Sequence, residues 1–229
     1  MKTPKPMSLT LRALARLLSY PDDALREHLG ELRQVLRTEA ALQPARLSEV
    51  EALIDGIAAQ SAIDAEADYV QLFDSGRRTS LHLFEHVHGD SRERGPALID
   101  LAQTFEKAGL YLAEGEMPDH LPVVLEYAST QPAREAQAFL AEMAHIFNVI
   151  FSALVQRDSR YASALGALIE LAGEKAAAVQ VPDEAPIDET WAEPAAFDGC
   201  STAGQQRPGQ SQPIQIQRKT AGTAAGARP

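Results

Sequence analysis

Apolar residues recur along this chain at the three- and four-residue spacing of amphipathic helices, segment after segment. Leu9, Leu14, Leu17 and Leu18 form one such stripe, stopped by Tyr20-Pro21. Asp22 or Asp23 then caps a second helix carrying Leu25, Leu29, Leu32 and Leu36. Ser48 with Glu51 reads as a capping box ahead of Leu53, Ile54 and Ile57. Asp64 opens a helix through Tyr69, Leu72 and Phe73 that Asp74-Ser75-Gly76 ends, and Ser91 opens another that closes near Gly109. Leu121, Val124, Leu125 and Ala128 mark a shorter one.

The longest predicted helix follows Pro132, a residue tolerated in a first turn. Phe139, Leu140, Met143, Ile146, Phe147, Ile150, Phe151 and Leu154 share one broad face, with His145, Asn148 and Ser152 opposite. A stripe that wide predicts the central helix of a bundle. A last helix carries Tyr161, Leu165, Leu168 and Ile169. No run alternates with β-branched enrichment, so no strand is predicted and the fold class is all-α. We expect a helical domain over residues 1–180. Residues 181–229 form a Pro/Gly/Gln-rich segment, acidic around Trp191 and then too polar to offset the entropy of ordering, so its tail is expected to be disordered.

Composition narrows the functions. The net charge of −11 lacks the clustered Lys and Arg that a phosphate backbone demands, which excludes nucleic acid as a partner. Cys200 is the single cysteine, so no intrachain disulfide or thiolate cluster can form, as suits a reducing, cytoplasmic setting. Arg12 and Arg16 interrupt any apolar leader after Leu9, and Ile146–Val155 is too short to span a bilayer, so direct membrane insertion is not expected.

The densest chemistry lies in Ser80-Leu-His82-Leu-Phe-Glu85-His86-Val-His88. If Ser80 caps a helix, then His82, Glu85 and His86 lie together on its polar half, and His88 turns toward the apolar side. His82-x-x-Glu85-His86 also matches the pattern of inverted zinc peptidases, in which two imidazoles hold the metal and the Glu acts as base. Zinc then needs a third ligand, for which Glu126 or Glu142 are candidates without distinguishing context. A second group, Gly115-Glu-Met-Pro118-Asp119-His120-Leu-Pro122, places Asp119 as N-cap of the following helix with Pro122 in its first turn.

The run Tyr69-Val-Gln-Leu-Phe-Asp-Ser-Gly-Arg-Arg-Thr-Ser-Leu-His-Leu-Phe-Glu-His-Val-His-Gly-Asp-Ser-Arg-Glu-Arg-Gly95 resembles the hallmark block of the respiratory nitrate reductase assembly chaperones, the NarJ or nitrate reductase delta subunit family. Leu17-Leu-Ser-Tyr-Pro21, Glu116-Met-Pro-Asp-His-Leu-Pro122 with Leu125-Glu-Tyr127, and Pro186-Ile-Asp188 with Trp191 resemble further family segments. Met117 stands where Leu is commoner, and the Gln/Ala/Gly tail has no counterpart.

The resemblance implies an all-helical chaperone that is not an enzyme. Its partner would be the apo catalytic subunit of nitrate reductase, bound in part through that subunit's N-terminal segment and held ready for molybdenum cofactor insertion and membrane docking. It implies no catalytic residue, no metal ligand and no cofactor of the chaperone's own. His82, Glu85, His86, Asp119, His120 and Glu126 are the expected client-facing residues, being the polar groups of the family-like blocks. If neutral His82, His86 or His120 engages the client, affinity should change around the ordinary histidine pKa of roughly 6.5.

Overall fold

A computed structural model of the chain describes residues 4–89 and 91–177. The expected tail at 181–229, with Trp191 and Cys200, lies outside the described residues. The described residues contain ten α-helices and no strand. They are α1 (Ser8–Leu17), α2 (Asp23–Glu27), α3 (Leu29–Glu39), α4 (Pro44–Ala59), α5 (Ala62–Phe73), α6 (Leu83–His88), α7 (Arg94–Lys107), α8 (Leu121–Thr130), α9 (Ala133–Gln156) and α10 (Ala162–Leu171).

The core is built on two close pairs. Helix α9 packs along α10, and α1 packs along α8; α4 closes on α10, and α3 on α1. The expected stripe on α9 buries Leu140, Ile146, Phe147, Ile150 and Leu154, while its far face stays open at His145. The helix enclosed on all sides is instead α10, buried without a break from Ser163 to Ile169. A short helix of small and apolar residues can be surrounded, whereas the charged side of α9 must keep its hydration. Ser152, expected on the polar side of α9, is buried and donates to the Asn148 carbonyl at 2.7 Å. That bond removes the cost of an unpaired buried hydroxyl.

Helix α9 is also longer than its most apolar stretch suggests. Over 24 residues, with a mean hydropathy of 1.8 in its best window, it is long and apolar enough to cross a membrane, though 44% of that window is buried in the fold. The expectation drawn from Ile146–Val155 alone therefore understated the helix.

Helix boundaries show which local signals prevailed. Asp22 caps α2 as expected, its Oδ1 accepting the Leu25 N–H at 2.8 Å. The single helix expected from there to Leu36 breaks at His28, whose Nδ1 bonds the Ala24 carbonyl at 2.7 Å. Helix α4 starts at Pro44, so Ser48 and Glu51 lie inside it rather than at its mouth; a proline at the first turn outranked the capping box. The cap of α5 is Ser61, three residues before Asp64, with its Oγ accepting the Asp64 N–H. Helix α7 begins at Arg94, later than Ser91 suggested.

Aromatic contacts fix the family-like block to the body. Tyr69 donates its hydroxyl to the Leu18 carbonyl at 2.8 Å, and its ring meets Phe73 and Tyr161 at centroid distances of 4.8 and 6.2 Å. Thr79, fully buried, donates to the Leu72 carbonyl and accepts from Arg157 at 3.3 Å. The end of α5 and the turn after it are thereby pinned to α1, α9 and α10.

Candidate functional site

The turn before α6 and the turn before α8 meet as two short extended pieces. Leu83 N–H donates to the Asp119 carbonyl at 3.0 Å and Leu121 N–H to the Leu81 carbonyl at 2.8 Å, which makes His82 and His120 an isolated antiparallel bridge. Their imidazoles stack with centroids 5.1 Å apart. Two histidines separated by thirty-eight positions of sequence are thus brought face to face by backbone pairing.

Asp119 organises this junction from beneath. It is fully buried; Oδ2 accepts the Phe84 N–H at 3.2 Å, and Oδ1 faces His82 Nδ1 at 3.4 Å. The guanidinium of Arg94 stands 3.9 Å from Oδ2 and 3.2 Å from Glu85 Oε1. Asp119 was expected to cap α8, but His120 holds that position and Asp119 caps α6 instead. The first turn of α6 has N–H groups without intrahelical acceptors, and its own preceding residue, His82, makes no side-chain cap. A carboxylate from another segment fills the vacancy.

Charge at the junction follows from these contacts. The Asp119 hydrogen bond outweighs desolvation and raises the His82 pKa above its ordinary value, with Glu85 adding to the rise. Burial pushes the Asp119 carboxyl up, but the His82 and Phe84 bonds and the Arg94 charge prevail and hold it below the usual range. Burial lowers the pKa of His86, whose Nε2 donates to the Ser80 carbonyl at 2.9 Å. Burial and the nearby His82 lower that of His120. One imidazole of the stacked pair is favoured as a cation and its neighbour as the neutral form.

The expected site residues therefore separate into three groups. His82, Glu85, His86 and His120 are half-buried around the junction, with 37% of the His82 side chain open. Asp119 lies below them, out of reach of a partner. Glu126 is exposed on α8 and lines a separate groove of about 460 Å³ between α1, α8 and the 110–112 segment. His88 is half-buried with its ring against Phe84, whereas Val87, expected among the apolar side chains, is exposed. Arg94 is the junction residue that sequence reasoning missed. It sits at the first position of α7, and no helical spacing links it to Glu85 nine residues earlier.

The zinc arrangement does not form. His82 precedes α6 instead of lying within it, so His82 and His86 do not share a helical face. His86 Nε2 is committed to Ser80, and among the described residues no three His, Cys, Asp or Glu side chains converge as ligands. A zinc site requires at least three protein ligands.

The described residues thus form an all-helical body that carries a polar junction and open grooves. The same fold occurs in a solved structure described as a putative redox enzyme maturation protein from Archaeoglobus fulgidus. It is 19% identical with a TM-score of 0.52, and the match covers 76% of this chain and 98% of that one. The nitrate reductase delta subunit family matches residues 19–166. The nitrate reductase molybdenum cofactor assembly chaperone NarJ of Escherichia coli K12 is 38% identical over 195 residues, 81% of this chain and 83% of the relative. A probable assembly chaperone NarJ of Bacillus subtilis is 31% identical over 164 residues, 70% of this chain and 86% of its own. The chain belongs to the nitrate reductase delta subunit family.

Proposed function

We propose that this protein is a dedicated cytoplasmic assembly chaperone that binds the apo catalytic subunit of respiratory nitrate reductase. It engages that subunit in part through its N-terminal segment and keeps it open for molybdenum cofactor insertion and for docking to its membrane anchor. The observation that carries this reading is the 38% identity, over four-fifths of the chain, to a protein named for that assembly step. The helical body, residues 1–180, serves as the client-binding unit, and 181–229 is an appended segment.

In this reading the α6–α8 junction is a contact surface. His82, Glu85, His86 and His120 reach the client, and Asp119 acts through His82 and α6 by holding them in place. A protonated His82 beside Glu85 offers a donor and an acceptor side by side, and a carboxylate can grip a client arginine bidentately. Glu126 contributes from its own groove. The molybdenum cofactor is cargo delivered to the client, and no bond is made or broken by the chaperone.

The test is capture from anaerobically grown cells that cannot make molybdenum cofactor. Tagged full-length chain should retain the stalled catalytic subunit, and much less of it from cells in which the cofactor is made. Equal recovery of mature enzyme, or no recovery of the catalytic subunit from either strain, contradicts the proposal.

A further inference from the structure

We propose that the cavity between α4, α5 and the 157–161 turn is a binding site for a small organic anion, with a single carboxylate or phosphate head on an apolar body. The site lies on other elements than the α6–α8 junction and does not depend on the chaperone reading.

The cavity holds about 810 Å³, toward the upper end of the range of about 300–1,000 Å³ that small-molecule sites occupy. Its inner wall is apolar and closed to water: Leu53 and Ile57 of α4, Ala65 of α5 and the Tyr161 ring are all buried. The charged residues that line it, Arg157, Arg160, Asp68 and Asp158, are exposed and so gather at the mouth. A ligand that fits both ends is amphiphilic.

Arg160 sets the charge of the head. Its side chain crosses α4 at Gly56, where a Cβ would stand 2.7 Å from Nη1 and 3.1 Å from Cδ. Only glycine leaves that seat open. Gly166 seats Arg46 in the same manner, but there Glu49 and Glu170 take up the charge. No carboxylate among the described residues pairs with Arg160. A guanidinium that is held in place yet unpaired can take a carboxylate or phosphate through two parallel bonds at little ordering cost.

Its surroundings favour an anion with one centre of charge. Arg157 lines the same mouth, with Nη1 held 3.3 Å from the hydroxyl of buried Thr79. Arg26 donates to the Ile57 and Gln60 carbonyls at 2.8 and 2.7 Å, which covers the negative end of α4 beside the mouth. Asp68, which accepts from the Gln60 amide at 2.5 Å, and Asp158 would repel a polyanion, as would the net charge of −11. A single head can rest on the arginines while its apolar body lies against Leu53, Ile57 and Ala65.

The probe is anilinonaphthalene sulfonate, an apolar body with one anionic head, set beside its uncharged counterpart N-phenylnaphthylamine. Fluorescence titration of the full-length chain should show saturable binding of both. Arg160→Gln, at an exposed position, should weaken the sulfonate by about tenfold and leave the uncharged dye unchanged. Gly56→Ala keeps every charge and suits a helix interior. By displacing the Arg160 side chain it should also weaken the sulfonate, and it should cost nothing further once Arg160 is Gln. Decanoate and decyl phosphate compete in separate arms, and displacement by one alone assigns the head; inorganic triphosphate should displace neither dye. The absence of saturable binding, sulfonate affinities that neither single variant changes, parallel loss of both dyes, or displacement by triphosphate overturns the site.

Discussion

The carboxylate of Asp119 accepts the backbone N–H of Phe84 from thirty-five residues away, at 3.2 Å, and so caps a helix to which it does not belong. The same side chain faces His82 and stands near Arg94. One buried group therefore couples the start of α6, the stacked histidines and the first residue of α7.

Removing it should be costly. Asp119→Ala leaves the Phe84 N–H without its acceptor and His82 and Arg94 without their counter-charge, for about 1–3 kcal/mol of stability. Asp119→Asn should recover part of this, since an amide oxygen can still accept from Phe84. Denaturant unfolding at neutral pH measures both. The sign with pH follows from the lowered Asp119 pKa: its contribution is present above the unfolded carboxylate pKa and disappears as pH falls through the folded one. Equal stability of parent and alanine variant would mean that the cap contributes nothing.

The histidines should titrate apart. Imidazole NMR resonances are expected to place His82 above the ordinary value of about 6.5 and His86 and His120 below it. The groups acting on His82 are Asp119, Glu85 and Arg94; His120 feels His82, Asp119, Glu116 and Asp74. The stability that His82 contributes is complete below its unfolded pKa and is lost as pH rises through the raised folded value. His86 and His120 behave oppositely, contributing fully above their unfolded pKa and losing it as pH falls through the lowered folded values. In Asp119→Asn the His82 titration should move down; a His82 curve indifferent to that change would remove Asp119 as its cause.

Charge reversal at Glu85 should weaken the client complex. Glu85→Lys sets a cation against Arg94, 3.2 Å away in the parent, and removes an acceptor from a half-open surface. Stability should change by no more than about 1 kcal/mol, since the pair is partly solvated, while affinity for the catalytic subunit should fall by about tenfold. Glu142→Lys, at an exposed position of α9, is the matched control and should leave affinity unchanged. Calorimetric titration of both variants reads the difference, and equal affinities would exclude Glu85 from the contact.

Much of the scaffold was legible in advance. The stripe on α9, the aspartate cap of α2, the stop after α5 and the absence of strands among the described residues all follow from spacing and cap chemistry, which act within a turn or two of helix. The family-like block around His82 likewise stood out by its composition. Where two local signals competed, as Pro44 against Ser48, spacing alone did not rank them.

The chain itself therefore determined which stretches become helices, which faces of them avoid water, and which polar groups were worth watching. Only the tertiary structure decided that His82 stays outside its helix, that Asp119 serves α6 rather than α8, that Glu126 belongs to a different groove, and that α10 rather than α9 is fully enclosed. Helical periodicity records a direction around one axis and carries no information about what stands opposite. That is settled when apolar faces pair and buried backbone groups must still find partners, as the Phe84 N–H does in a carboxylate thirty-five residues away.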